Sequence, residues 1–347
     1  MVNKIWILAL TFIVYACDVQ KGNRTYVDLF EEAEEVTLSE FYSELVDSLG
    51  QPDMLLSCGD FVIFSEPQLP MLLMGYNIKT GDIQRVLPHG QGQNEALSIQ
   101  TIGVGNESTS FYAYDLSLSS VFHFIQKGDS IQFVKIDNRA PKHSSCAVAY
   151  DGDMAFFLNI ADEKRFTCYH KEKTVKFGDM VNLSNLSSLA ISHALQGPCL
   201  VNPFTKKIAW FSVYGDVMEI YNYSDINQIK LELSNVICPP VFASASMEAG
   251  VMDPKTKLSV SSVVSDGKYI YALYNEKTLL EIMQNNREQA FFADKILVWD
   301  WQGNACKMLH LNKQVKSITY SPSENIILCL GLDSDLDYAL YGFPVLE

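Results

Sequence analysis

The sequence predicts an all-β fold, a six-bladed β-propeller of four-stranded antiparallel blades, and three observations carry that expectation. Six segments share one pattern: a short apolar run, a turn of Gly, Asp, Asn, Pro or Ser, then a longer run rich in aromatic and β-branched residues. Their turns, centred at Gly59, Asn106, Gly152, Phe204, Gly267 and Ser323, recur at intervals of roughly 46 to 63 residues, the period expected of propeller blades. No helical period competes with this alternation of short strands and turns.

The first hairpin of each unit falls at residues 54–64, 99–114, 145–158, 200–214, 261–274 and 318–330. A second hairpin follows the first, clearest at residues 73–87 about Thr80-Gly81-Asp82, 121–136 about Lys127-Gly128-Asp129, and 296–311 about Gln302-Gly303-Asn304, and weaker at 165–177 and 217–233. Two hairpins make one four-stranded blade. The sixth unit ends after Tyr338-Ala339-Leu340-Tyr341 with three strands, so its fourth is expected from the N-terminal side, at Glu35-Val36-Thr37-Leu38. Closing the ring in this way hides the edges that an open sheet would expose.

With 347 residues, 48% hydrophobic and 12% aromatic, the chain has ample material for one large closed β unit, and no low-complexity tract interrupts it. The first residues read differently. Lys4 is followed by an uncharged run from Ile5 to Ala16 that stops at Cys17. As a helix this run rises about 18 Å, short of the roughly 30 Å hydrocarbon core, so it reads as a signal-peptide core and not a membrane span. The stop, Val14-Tyr15-Ala16-Cys17, resembles the bacterial lipobox, in which small residues precede an acylated cysteine; Tyr15 departs from that pattern. The expected organisation is a lipoprotein signal peptide over residues 1–16, lipid on Cys17, an acidic tether over 17–34 and the propeller over 35–347. Each buried methylene of an acyl chain contributes about 0.8 kcal/mol, and more than one chain makes anchoring durable.

Beyond Cys17 the chain keeps Cys58, Cys146, Cys168, Cys199, Cys238, Cys306 and Cys329, an odd number that cannot all pair within one molecule. With no Cys-x-x-Cys, and with several of them in apolar runs, they read as buried thiols acting as small hydrophobes. The net charge of −15, from 41 acids against 26 bases, argues against nucleic acid and against docking on anionic headgroups.

Three stretches carry a family resemblance: residues 38–48 (LSEFYSELVDS), the loop Gly90-Gln91-Gly92-Gln93-Asn94-Glu95, and residues 296–304 (ILVWDWQGN). Taken with the repeat, they resemble the TolB-like six-bladed propeller lipoproteins common in gut Bacteroidetes. The loop is similar to that family's Gly-x-Gly-Pro-x-Glu pattern at Gly90, Gly92 and Glu95, with Gln93 where the family has proline. The resemblance implies the fold and says little about chemistry.

In a propeller the connections between strands two and three lie on the same face as those between blades. The sequence puts Asp115, Asp162 with Glu163, Asp216, Asn275 with Glu276, and Asp333, Asp335 and Asp337 in the former, with Glu66 in the first blade, while His89 and Glu95 sit in the first interblade loop. The expected ligand-binding candidates are therefore His89, Glu95, Asp115, Asp162, Asp216, Glu276 and Asp333, as a partial ring of carboxylates about the central opening. Two long segments, 234–258 and 276–294, are expected to wall that site, the second with Leu279, Leu280, Ile282 and Met283 at helical spacing. Acids after strands are commonly turn formers. Asp333-Ser334-Asp335-Leu336-Asp337 begins like a calcium loop, but Tyr338 stands where that loop needs glycine, so no metal is expected there. Gly90 and Gly92 read as turn glycines.

Neither a Gly-x-Ser-x-Gly elbow nor a His-Glu-x-x-His helix is present. The expected function is a non-enzymatic, monomeric binding module without cofactor, lipid-anchored in the bacterial envelope, first of all at the outer membrane, with a glycan, peptide or envelope protein as partner. The alternative is a propeller enzyme, a metal-assisted hydrolase or lyase with its site at the central opening.

Overall fold

The computed structural model describes residues 24–346 apart from 69, 106, 142–144, 161, 182–185, 244–251 and 285–289, so the signal segment and Cys17 lie outside the described residues. Two short strands, β1 (Ala33–Val36) and β2 (Ser39–Phe41), precede the blades. Blade one is β3 (Leu55–Cys58), β4 (Phe61–Ser65), β5 (Met71–Asn77) and β6 (Ile83–Pro88); blade two is β7 (Thr101–Val104), β8 (Ser110–Asp115), β9 (Ser120–Lys127) and β10 (Ser130–Asp137). Blade three is β11 (Ser145–Asp151), β12 (Met154–Asn159), β13 (Lys164–His170) and β14 (Lys173–Asp179); blade four is β15 (Cys199–Asn202), β16 (Lys207–Phe211), β17 (Asp216–Asn222) and β18 (Lys230–Cys238). Each is an antiparallel meander, joined by the turns that the sequence marks with glycine; Gly59, Gly152 and Gly267 all have positive φ.

Blades five and six share a strand. β19 (Val260–Ser265), β20 (Tyr269–Tyr274) and β21 (Ala293–Asp300) lead into β22 (Ala305–Ser321), whose first half pairs with β21 and whose second half pairs with β23 (Ile326–Leu332). One continuous strand is thus the fourth strand of blade five and the innermost of blade six. Blade six continues to β24 (Tyr338–Pro344) and is closed by β2, with Glu40 opposite Tyr341. The closing strand is therefore Ser39–Phe41 and not the expected residues 35–38. Residues 33–36 instead add to the outer edge of blade five, running parallel to β22 with Ala33 opposite Met308 and Val36 opposite Leu311. The physical reason is the free edge: the outer half of β22 offers unpaired backbone groups on the path from Tyr26 to blade six.

The inner strands β3, β7, β11, β15, β19 and β22 neighbour one another in succession, and β22 returns to β3. The core is divided accordingly, one cluster per interface. In β4, Phe61 and Ile63 pack toward blade two while Val62 and Phe64 pack toward blade six. The same split recurs in β8, β12, β16, β20 and β23; in β16, Ile208 and Trp210 face blade three, and Ala209 and Phe211 face blade five. Side chains alternate across a strand, so a strand sandwiched between two blades must be apolar throughout. That is why these runs lack polar alternation, whereas the outer strands β6, β14 and β18 alternate between exposed and half-buried positions.

Residues 24–34, read from the sequence as tether, are part of the folded body. A 3₁₀ turn (Tyr26–Leu29) is capped by Thr25 and Asp28, and Tyr26 is fully buried between blades four and five, with its ring 5.4 Å from that of Trp299. Of the cysteines, Cys58, Cys168 and Cys329 are buried as expected, with burial pushing the Cys58 and Cys168 thiols up to about 12; Cys199, Cys238 and Cys306 are only partly buried. Among the described residues no helix is long and apolar enough to cross a membrane.

One ion pair lies inside the core. Between blades three and four, Arg165 Nε donates to Glu219 Oε2 at 2.5 Å, Tyr221 donates to the same oxygen at 2.5 Å, and the guanidinium lies 3.8 Å from the ring centroid of Trp210. Both side chains are 1% exposed. Removing one partner strands the other charge in the interior, whereas removing both restores an apolar interface. Arg165→Met should lower the unfolding free energy by about 3–5 kcal/mol in urea titrations, and Arg165→Met with Glu219→Leu should recover most of the loss.

Candidate functional site

The innermost strands β3, β7, β11, β15 and β19 each pair on one side only, and the inner half of β22 takes the corresponding place in blade six. Together the six strands enclose a central cavity of about 610 Å³. Its wall carries hydroxyls (Ser57, Ser261, Ser262, Ser317, Thr319), with Tyr112, Tyr150 and Tyr320 and a share of aliphatic residues such as Leu55, Ile102 and Val263. Several hydroxyls tie neighbouring blades: Leu55 N–H donates to Ser317 Oγ (3.2 Å), Ser57 N–H to Thr319 Oγ1 (2.9 Å), and Ile318 N–H to Ser262 Oγ (3.3 Å). Glycine is required at two points of the wall. A Cβ on Gly103 would lie 2.2 Å from the Tyr112 hydroxyl, and one on Gly197 would lie 2.0 Å from the Phe211 carbonyl oxygen, a backbone atom that cannot step aside.

The two mouths differ. At the end where blades connect, Lys316 and Asp53 form an ion pair at 2.6 Å. At the opposite end, among the first-to-second strand turns, Phe204 is 90% exposed and Val104 48% exposed.

None of the seven candidates read from the sequence lines this cavity. The acids close to strand ends fasten the connections of the fold. Asp115 is fully buried and accepts from the N–H groups of Leu97 (2.6 Å), Ser98 (3.2 Å) and Leu118 (3.0 Å), which binds the incoming interblade segment to blade two. Asp216 accepts from Tyr26 N–H (2.8 Å), the Ser259 hydroxyl (2.7 Å) and the Tyr274 hydroxyl (3.1 Å); burial nevertheless pushes its carboxyl above the usual range. Asp333 accepts from the N–H groups of Asp335 and Asp337, closing a turn. Asp162 pairs with Lys176 at 2.5 Å, and Glu276 with Lys295. His89 is exposed in the first interblade loop. Glu95 folds back on that same loop and accepts from Gly92 N–H at 2.7 Å. A Cβ on Gly90 would fall 2.0 Å from the Glu95 carboxylate, which explains the glycines of the Gly-x-Gly-x-x-Glu loop as room for an acid and not for a phosphate. Of the expected carboxylates, Asp115, Asp216 and Asp333 thus hold connections or turns, and Asp162 and Glu276 form ion pairs. Connections that enter a blade bring buried N–H groups, and a carboxylate beside them can accept several at once.

Glu66, also buried, follows the pattern by accepting from Gly50 N–H (2.8 Å) and Arg85 (2.9 Å), while Asn275 donates to the carbonyls of Ala290 (2.8 Å) and Phe292 (3.2 Å). The two long segments pack on each other, with Leu258 N–H donating to Lys277 O (2.8 Å) and Leu279 N–H to Thr256 O (2.9 Å), and their described parts do not reach the cavity wall. The helical turn expected at Leu279–Met283 is present as α2 (Leu279–Gln284), while α1 (Ser188–Ala194) was not read from the sequence; Leu280 and Met283 in α2 are exposed.

A second, smaller cavity of about 380 Å³ lies beside blades two and three, lined by His123, Lys135, Asp137, Arg139 and Tyr150. Arg139 is engaged with Asp137 at 2.6 Å, and burial together with nearby Lys135 pushes His123 down to about 4. Among the described residues no three His, Cys, Asp or Glu side chains converge as a metal site would require.

The wall residues were not singled out from the sequence. The signal lay in the repeat itself, since the first strand of several units has small Thr, Ser or Gly where the second is aromatic: Thr101-Ile102-Gly103-Val104 beside Phe111-Tyr112-Ala113-Tyr114, and Val260-Ser261-Ser262 beside Tyr269-Ile270-Tyr271.

A family model described as TolB-like 6-blade propeller-like matches residues 78–322. Among solved structures, a member of the DUF4221 family from Bacteroides vulgatus is similar with a TM-score of 0.55 at 8% identity, covering 84% of this chain and 91% of its own. A luciferin-regenerating enzyme is similar with a TM-score of 0.50 at 10% identity, covering 89% and 95%. At such identities the likeness concerns the fold alone. No curated protein sequence matches the chain significantly.

The latch reading separates structure from binding at Asp216. Asp216→Ala leaves buried donors unmet and should cost on the order of 2–4 kcal/mol of stability, with hydrogen exchange of the Tyr26 amide accelerated well beyond that of amides in β12.

Proposed function

The chain belongs to the TolB-like six-bladed propeller family, and from that premise we propose that it is a lipid-anchored, extracytoplasmic binding module of the bacterial envelope that receives its ligand in the central cavity. The cavity is the observation that carries this reading: about 610 Å³, within the range of small-molecule sites, with apolar surface and a limited number of polar groups. The acids that a hydrolase or lyase would draw on are engaged in latches and ion pairs, and this favours binding over chemistry.

The strap at Tyr26 supports a defined orientation. Even fully extended, the chain from Cys17 to Tyr26 reaches only about 30 Å. Tyr26 docks on Asp216, beside the connection between the second and third strands of blade four, whereas Phe204 lies in the turn at the other end of β16. A propeller anchored through Cys17, at the outer membrane in this reading, turns its strapped face toward the bilayer and its Phe204 mouth away from it.

Two measurements test the proposal. Cys17→Ser should move the protein from the membrane to the soluble fraction of cells, and its retention in the membrane would overturn the anchor. Purified protein should bind members of immobilised glycan or peptide arrays, and Val104→Trp, which narrows the exposed mouth, should abolish that binding; binding indifferent to this change would remove the cavity from the proposal.

A further inference from the structure

Resting on the reading of the cavity as the ligand site, we infer that its occupant is an uncharged carbohydrate, a short neutral oligosaccharide that enters by the mouth at Phe204. The first ground is charge. Lys316 and Asp53 neutralise each other at one mouth, and at the other Asp266 accepts from the N–H groups of Lys268 (2.8 Å) and Tyr269 (2.7 Å) and from the Tyr271 hydroxyl (3.1 Å). An anionic ligand would leave water for a wall whose one cation, Lys316, is already paired with Asp53, and a cationic one would find only Asp266, whose carboxylate is already hydrogen-bonded.

The second ground separates carbohydrate from peptide. An extended peptide gains its affinity by adding a strand to an open edge. Here Leu55 and Ser57 in β3 and Ile318 in β22 already give their N–H groups to hydroxyls of the neighbouring blade, so on this side of the channel a ladder finds its donors taken. Hydroxyl groups of a sugar ask for no such register. They can meet single polar groups of the wall wherever these stand.

The third ground is Phe204. Its turn is fixed by Asn202, whose Oδ1 accepts from the N–H groups of Phe204 (3.0 Å) and Thr205 (3.1 Å) and whose Nδ2 donates to Gly267 O (3.0 Å) in the next blade. The phenyl ring is therefore carried on a rigid support while remaining 90% exposed at the mouth. A pyranose has an apolar C–H face that covers such a ring and a rim of hydroxyls left over for the wall. That pairing of one flat apolar face with a polar perimeter matches an aromatic plate above a cavity whose wall mixes aliphatic side chains with hydroxyls.

The test uses the full exported chain, purified from membranes in detergent, titrated calorimetrically with maltotriose, cellotriose, mannotriose and chitotriose and with a blocked tetra-alanine peptide. At least one trisaccharide should bind, Phe204→Ala should weaken it tenfold or more, and Phe204→Trp should retain it. Because Phe204 is exposed, thermal unfolding of the alanine variant should match the parent. If no trisaccharide binds, the carbohydrate assignment falls. Binding of the peptide alone, abolished by Val104→Trp, overturns the carbohydrate assignment and leaves the cavity as the site. Trisaccharide binding unmoved by both Phe204→Ala and Val104→Trp overturns the cavity reading as well.

Discussion

Every blade of this molecule depends on burying both faces of its middle strands. A strand such as β4 gives Phe61 and Ile63 to one neighbour and Val62 and Phe64 to the other, so no blade can be lifted out without uncovering apolar surface on two more. At about 25 cal/mol for each Å² of apolar surface removed from water, the circle is closed by its interfaces and not by its hairpins, which are weak alone. Closure then makes one demand that the repeats cannot meet from within. The sixth blade lacks an outer strand, and β2 supplies it from the other end of the chain.

Two-sided burial also decides where polar groups can go. With the faces of the middle strands taken, polar side chains are left to the connections, the outer edges and the axis. In the connections they serve the fold: Glu66, Asp115 and Asp216 each accept buried N–H groups where a segment enters a blade. At the axis the constraint is space. Six strands converge there, and Ser, Thr and Gly share the wall with aliphatic residues and a few tyrosines.

The N-terminal strap joins these themes. Tyr26 fills the interface between blades four and five, Phe30 stacks edgewise on Trp299, β1 covers the outer edge of blade five, and β2 completes blade six. A segment whose acids suggest a solvated tether is in large part a clamp. Its acids point outward while Tyr26 and Phe30 pack inward, and composition averages over that difference.

The sequence by itself determined the blades. Hairpin turns at Gly59, Gly152 and Gly267, apolar second strands and a regular interval are local features, and local backbone preference with two-residue alternation is enough to read them. It also marked the Gly90–Gly92–Glu95 loop as a turn, and placed the helical stretch at Leu279. Only the tertiary structure decided what the acids do and where the cavity lies. Asp115 looks the same in sequence whether its carboxylate faces solvent, ligand or the N–H groups of Leu97 and Ser98, because those donors arrive from another strand. The choice of Ser39–Phe41 over the expected residues 35–38 to close the ring was likewise beyond reach, since two short strands precede the blades and the partner of each is set by which free edge the folded chain passes first. The cavity is the clearest case: it belongs to no single blade and exists only when six inner strands share an axis.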